Sequence, residues 1–308
     1  MLYQTERLPS ARLDGGSGAK AEHRRPAAFG PSLLAAGLLL AGCALAVSAA
    51  GLADVKGNTV PGSEKTVSAP VTLGMSYVVP AHFPGSKVRT PEGLAPLLAE
   101  RLDQHLAVQP VAVPEPAQAV LGAASGQRPQ LDALLLPLSH EEREQAGQRA
   151  GRVIPTGYRA GIMAIMRTDT DIRRWEDLHG RTVCLAEGSG LAGQMQTRYG
   201  AIEKVFRAPA DALLDLRIGG CDAAVHDSTM LEALLEFPEW KKFSARLPVQ
   251  EERDLAFVVS ENAAALAEVL QRQVKEWRDS DLLARLTQQA ARDIAFEVYM
   301  DQEVPDCH

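Results

Sequence analysis

Aromatic residues are scarce in this 308-residue chain, at 5% of the total, and the formal charge is −7. No basic stripe interleaved with aromatics can be traced, which argues against nucleic acid as a partner. Metal-binding spacing is missing as well. Seven histidines and four cysteines give no His-x-x-x-His and no Cys-x-x-Cys, so neither a metal nor another cofactor is expected. There is no Gly-x-Ser-x-Gly elbow, no Walker loop and no repeat of solenoid period. What remains is a length and a 46% hydrophobic content that suit one large or two medium domains with a substantial core.

The most informative stretch runs from Gly180 to Asp227. Residues 182–186 form a short β-prone apolar run that stops at Gly188, Ser189 and Gly190, and a helical pattern (Leu191, Met195, Tyr199) follows at once. A strand that ends in such a turn leaves free N–H groups beside a helix start, a seat for an anion. Residues 221–225 read as a second strand, and it carries Asp227 to the mouth of the next helix. One strand end offers donors for a carboxylate and the other a carboxylate for an ammonium. An ordinary Gly-rich turn and an Asp helix cap are the plainer alternatives for these two features.

Residues 1–32 are polar, with five basic residues (Arg7, Arg12, Lys20, Arg24, Arg25), and read as a disordered leader. Residues 33–52 are almost purely apolar, and a basic stretch before such a run is an export signal. Three alternatives stay open for it: lipidation at Cys43 after Leu40-Ala41-Gly42, simple cleavage after Val47-Ser48-Ala49, or retention as a membrane anchor of about 20 residues. All three place the remainder outside the cytoplasm. Residues 53–69 read as a linker. From residue 71 on, strand and helix patterns alternate: a strand over 71–79, a helix opened by Pro96 with Leu98, Leu102 and Leu106 inside, and a strand over 108–113. A short helix over 116–124 and a strand over 131–136 buried on both faces follow. This alternation is the α/β signature. A short helix over 171–178, helices over 263–277 and 281–291, and a frayed tail over 301–308 complete the chain.

Several of these runs are characteristic in combination: Thr156-Gly-Tyr, Trp175-Glu-Asp-Leu-His-Gly-Arg-Thr-Val-Cys, Glu187-Gly-Ser and Gly220-Cys-Asp-Ala-Ala-Val-His-Asp. Here the sequence resembles the family 3 extracellular solute-binding proteins, the periplasmic receptors of polar amino acid ABC transporters. The match is specific from Tyr158 to Pro248, weaker from Val71 to Pro155, and absent before Val60. The resemblance implies a type II fold of two α/β lobes, 70–156 with 253–300 and 157–252, joined by two crossing strands near 158–167 and 247–260. It also implies closure on a small zwitterionic solute, a permease partner at the inner membrane, and a periplasmic location.

For the ligand the resemblance implies Ser139 and Arg143 as carboxylate contacts, with Gly188, Ser189 and Gly190 as further donors. Tyr77 or Phe83 would pack on the ligand, and Asp227 would anchor its ammonium. Where relatives carry a Gly-aromatic-acid-x-acid run, this chain reads Gly93-Leu-Ala-Pro-Leu without either acid, so the first lobe departs from the pattern. Relatives with Val-Cys and Cys-Asp at these places join the two, which implies a Cys184–Cys221 disulfide in an oxidising compartment. His226, beside Asp227, reads as a lone buried or half-buried histidine and not as half of a catalytic pair, because neighbours on a strand face opposite ways. Two other functions stay open: a sensory or scaffold domain of the same fold with weak binding, and a dehydratase of the cyclohexadienyl type, for which the sequence flags no carboxylate pair.

Overall fold

The structure is a computed structural model, and it describes residues 70–81, 83–113, 131–149 and 151–302. The leader, the apolar run with Cys43, the linker, the helix expected over 116–124 and Cys307 lie outside the described residues. Among the described residues no helix is long and apolar enough to cross a membrane.

The first lobe begins with β1 (Val71–Met75), which stops four residues short of the expected end. After it, α1 (Ala95–Asp103) starts with a proline in its first turn, which costs no hydrogen bond there, and buries Leu98, Ala99 and Leu102. Leu106 lies beyond the helix and is half-buried. β2 (Val108–Ala112) and β3 (Ala133–Leu138) both pair with β1 in parallel. β3 is buried on both faces because Leu135 packs beneath α1 while Leu134, Leu136 and Leu138 face the opposite cluster around Ala146. That cluster is covered by α2 (His140–Arg149).

β4 (Arg152–Met166) is the first crossing strand, and it starts six residues earlier than the sequence suggests. Its first turn of chain pairs with the end of β9 (Gln250–Val259), the return crossing, while Ile162 to Ile165 pair with β7 (Ala223–Asp227). One strand therefore belongs to both lobes. The register slips between Pro155 and Arg159, where Gly157 adopts φ +97°, a conformation that other residues rarely take. Thr156 at the slip is buried and donates its hydroxyl to Leu255 O at 2.7 Å.

The second lobe continues with β5 (Thr182–Ala186), α3 (Gln194–Tyr199), β6 (Ile202–Phe206), α4 (Pro209–Arg217), β7, α5 (Ser228–Leu235) and the two-residue strand β8 (Ala245–Arg246). The nine strands form one sheet in the order β2-β1-β3-β9-β4-β7-β5-β6, with β8 on β4. Parallel strands on each flank and an antiparallel crossing pair in the middle give the expected two-lobe α/β fold. Two local expectations change. The helical segment before β5 is only a 3-10 turn over Trp175–Leu178. The helix after the glycine turn begins at Gln194, because Gly190 and Gly193 both take left-handed conformations and delay it.

α6 (Ala264–Asp279) returns to the first lobe, where Leu266, Leu270, Val274 and Trp277 join the core. α7 (Leu282–Asp301) does not stay there as the sequence reading places it. Leu282, Leu283 and Leu286 lean on the first-lobe core, whereas Ile294 and Val298 are buried with α4 and α5 in the second.

Cys184 and Cys221 are joined by a disulfide, with Cα atoms 5.9 Å apart, as the resemblance implies. It ties β5 to the start of β7. Because both thiols are spent, their grouping with Asp215 is no metal site.

Candidate functional site

A hollow of about 430 Å³ opens where the strand ends of both lobes converge. The first lobe lines it with Ser76, Tyr77 and Glu92, the crossing strands with Tyr158, Glu251 and Arg253, and the second lobe with Gly188, Ser189, Gly190, His226 and Asp227. A larger, mainly apolar hollow of about 680 Å³ lies elsewhere, between α1 and α7. Size alone would select that one. The smaller is the stronger candidate, because ligands of open α/β sheets bind beyond the carboxyl ends of strands, where polar groups converge.

Asp227 ends β7 and caps α5. Its Oδ1 accepts from Thr229 N at 2.9 Å, Thr229 Oγ1 at 2.6 Å and Met230 N at 3.2 Å. Its Oδ2 accepts from Tyr158 Oη at 2.8 Å, and that hydroxyl also meets Thr229 Oγ1. The cap and the cleft-facing oxygen thus coexist on one side chain, with Oδ2 holding the spare lone pair. Burial raises the Asp227 pKa, and Glu92 nearby adds to the rise against the hydrogen bonds that lower it. Burial also raises the Tyr158 pKa well above its ordinary value, with Asp227 adding to it.

Glu92 is the residue that the sequence reading passes over. It sits one position before Gly93, in the loop entering α1, and supplies the first lobe's acid from there. Its Oε1 accepts from Asp227 N at 3.2 Å, and its Oε2 lies 2.8 Å from His226 Nδ1. Glu92 is 6% exposed and His226 is 0% exposed, so both are buried as anticipated for the histidine. Glu92 and Asp227 place two carboxylates on the cleft lining, near enough for Glu92 to raise the Asp227 pKa, and no spacing in the sequence flags them, since 135 residues separate the two.

The glycine turn packs closely on the first lobe. A Cβ on Gly188 would stand 3.0 Å from both Glu92 Cβ and Tyr77 Cδ1, so the missing side chain lets the two lobes touch. Ser189 donates its hydroxyl to Ala186 O at 2.6 Å and accepts from Leu191 N at 3.2 Å. Gly190 N–H turns back toward Glu187 O. Part of the donor set expected for an anion is therefore used within the turn.

Tyr77 lines the cleft, and burial raises its pKa, with Glu187 adding to the rise. Phe83 is 62% exposed and outside the lining. Ser139 and Arg143 are also outside it. Ser139 and Glu142 cap α2 reciprocally, the Ser139 amide donating to Glu142 Oε2 at 2.7 Å and the Glu142 amide to Ser139 Oγ at 3.2 Å. Arg143 reaches Asp254 Oδ2 at 3.1 Å. The cleft's arginine is instead Arg253, held loosely by Glu142 at 3.4 Å and Glu251 at 3.8 Å. The run Glu251-Glu252-Arg253-Asp254 on the return crossing was the available signal, because a strand alternates its charges between two faces.

No family model matches the chain, and no curated protein matches it. Solved structures do. A mutant of ArgBP from T. maritima shares 19% identity at a TM-score of 0.45, over 71% of this chain and 94% of that one. The amino acid ABC transporter substrate-binding protein AbpA from Streptococcus pneumoniae, bound to L-arginine, shares 13% at 0.46, over 73% and 96%. The ancestral amino acid-binding protein AncCDT-1, a precursor of cyclohexadienyl dehydratase, shares 16% at 0.44, over 71% and 94%. At that degree of likeness the fold rests on the chain's own strand order.

Proposed function

We propose that this chain is an extracytoplasmic solute-binding protein that takes up a small zwitterionic solute, in the simplest case an amino acid, for an ABC transporter. The observation that carries the reading is the cleft itself, which sets an acid, Asp227, and a base, Arg253, on the walls of one hollow between two lobes. The spare lone pair of Asp227 Oδ2 takes the ammonium. Arg253 and the turn at Gly188, Ser189 and Gly190 take the carboxylate, and Tyr77 covers the carbon skeleton. Ser139 and Arg143 serve from behind. Ser139 fixes Glu142, which faces Arg253, and Arg143 holds Asp254 beside it. Charge-assisted contacts of this kind strengthen where water is excluded.

The polar run before residue 33 and the apolar run after it carry the remaining part of the proposal, that the chain is exported and held at the inner membrane, by an anchor or by lipid on Cys43. The scaffold reading has one specific observation in its favour. Glu92, Ser189 and Asp227 already have partners within the protein, which leaves fewer groups for a solute. A thermal-shift screen of the full chain over the common amino acids separates the two. A solute at 100 times its dissociation constant stabilises by about 2.7 kcal/mol, so a concentration-dependent rise for one class of amino acid supports capture. No rise with any of them overturns it in favour of the scaffold.

A further inference from the structure

The larger hollow, of about 680 Å³ between α1 and α7, takes no part in the capture reading. Met75 of β1, Leu97 and Ala99 of α1 and Leu286 of α7 line it from the first-lobe core. Val79, Val88 and Phe296 line it too, and all three are exposed. An enclosed cavity would bury such side chains, so this is an open trough between two helices. From Phe296 the apolar surface continues along α7 to Tyr299 and Met300, which are also exposed. Their spacing puts the three on one face of the helix. An exposed apolar stripe beside a trough is the mark of a surface that meets another molecule.

The polar part of the lining is acidic. Glu100 and Asp103 come from α1, and Asp293 and Glu297 from α7. Among the described residues Glu100, Asp103 and Asp293 form no salt bridge, and Glu297 meets only Arg89 Nη1, at 3.9 Å. Glu297 accepts the Thr90 amide and hydroxyl on Oε1, at 2.9 and 2.7 Å, while its buried Oε2 has no hydrogen-bond partner. Arg89 is the one basic residue of the lining, and its guanidinium is engaged by Asp211 at 2.7 Å and by Asp301. Apolar walls and unmatched negative charge therefore lie side by side.

A chain segment that matches both needs an apolar face flanked by lysine or arginine. Two helices that flank a trough receive a third by placing its side chains between their own, and an amphipathic helix is read through anchors at i, i+3, i+4 and i+7. α1 has 9 residues and spans about 14 Å, enough to seat about two and a half turns of such a helix.

We propose that the trough docks a partner protein through a basic amphipathic helix. Its apolar face rests on Val88, Leu97 and Phe296, and its cationic side chains face Glu100, Asp103 and Asp293. The trough shares no wall with the cleft groups that take the solute, so capture can fail with this docking intact.

Fluorescence anisotropy of a labelled peptide made of two Leu-Lys-Lys-Leu-Leu-Lys-Lys repeats, titrated with the full chain, tests the trough. One fixed concentration of nonionic detergent is kept throughout, so peptide held by micelles is a constant background. The wild type should bind saturably, and more weakly as salt is added. Phe296→Ser and the double variant Glu100→Lys, Asp293→Lys should each weaken binding at least tenfold. Ile218→Ser, at an exposed apolar position outside the trough, should leave it unchanged. Thermal melts check the fold of each, and if the double variant melts early, Phe296→Ser decides alone. No saturable binding by the wild type, or equal affinity across the variants, overturns the proposal. Equal affinity for the same peptide with Glu in place of Lys does so as well. Light scattering that finds a wild-type dimer and a Phe296→Ser monomer would give the trough to a second copy of the chain, and would also overturn it.

Discussion

Glu92 and His226 sit 134 residues apart in the chain, on different lobes, and meet at 2.8 Å with both side chains buried. His226 turns Nδ1 to the carboxylate, and its buried Nε2 has no hydrogen-bond partner among the described residues. The same carboxylate accepts the Asp227 amide, so one first-lobe side chain orients two consecutive residues of β7. Asp227 is thereby held from three sides: by Glu92 at its amide, by the α5 cap at Oδ1 and by Tyr158 at Oδ2. Its carboxylate cannot turn away from the cleft without breaking the cap.

That arrangement has a pH signature. Burial raises the folded-state pKa of Asp227 above 3.8, so folding favours its protonated form. The stability it contributes is fully present below pH 3.8 and declines as pH rises through the raised value. Asparagine keeps an acceptor for the cap and removes the titration. Asp227→Asn should therefore gain on the wild type between about pH 4 and pH 7, while Asp227→Ala should lose about 1 kcal/mol for the missing cap. Urea melts across that range check it. A wild type that gains on the asparagine variant as pH rises would show that the Tyr158 and capping bonds outweigh burial.

The disulfide gives a second expectation, independent of the cleft. Cys184 and Cys221 close a loop with a sequence separation of 37, and both sulfurs are in the second-lobe interior. In the chain-entropy model such a loop contributes about 4 kcal/mol. Cys184→Ala, Cys221→Ala should lower the unfolding free energy by about that amount, and thiol labelling of denatured, unreduced protein should leave both cysteines unmodified. Labelling at either position, or a double variant as stable as the wild type, would remove the bond from the stability of this fold.

Much of the frame could be read from residues alone because it depends on local pattern. The apolar runs of β3 and β5, the proline opening α1 and the strand-end position of Asp227 all announce themselves within a few residues. The sites that escaped depend on contacts distant in sequence. Glu92 is an ordinary loop glutamate until β7 arrives above it. Arg253 belongs to the charged half of a strand whose apolar half carries the pattern, and its neighbour Asp254 explains why Arg143 is turned from the cleft. The late start of α3 comes from left-handed glycines, which the helical pattern of Leu191, Met195 and Tyr199 conceals. α7 was misplaced for a similar reason: an amphipathic stripe shows that a helix is half-buried but not which of two cores receives each end.

Which arginine meets the solute's carboxylate is the expectation that ties geometry to function. Arg253 lines the cleft and is 40% exposed along its side chain, with Glu142 at 3.4 Å and Glu251 at 3.8 Å as its carboxylate neighbours. Arg143 is outside the lining and spends its guanidinium on Asp254. A direct charge-assisted hydrogen bond contributes about 1.5–3 kcal/mol, which is tenfold or more in affinity. Arg253→Ala should therefore weaken the best amino acid from the screen by at least tenfold, with little change in melting temperature. Arg143→Ala should act more weakly, because Arg159 still holds Asp254 at 2.9 and 3.1 Å, and Phe83→Ala should leave affinity unchanged because the ring faces solvent. Isothermal calorimetry on the four proteins decides the order. If Arg143→Ala abolishes binding while Arg253→Ala does not, the carboxylate is held at the α2 junction, as the resemblance implies, and the cleft must rearrange around Asp254 to bring that arginine in.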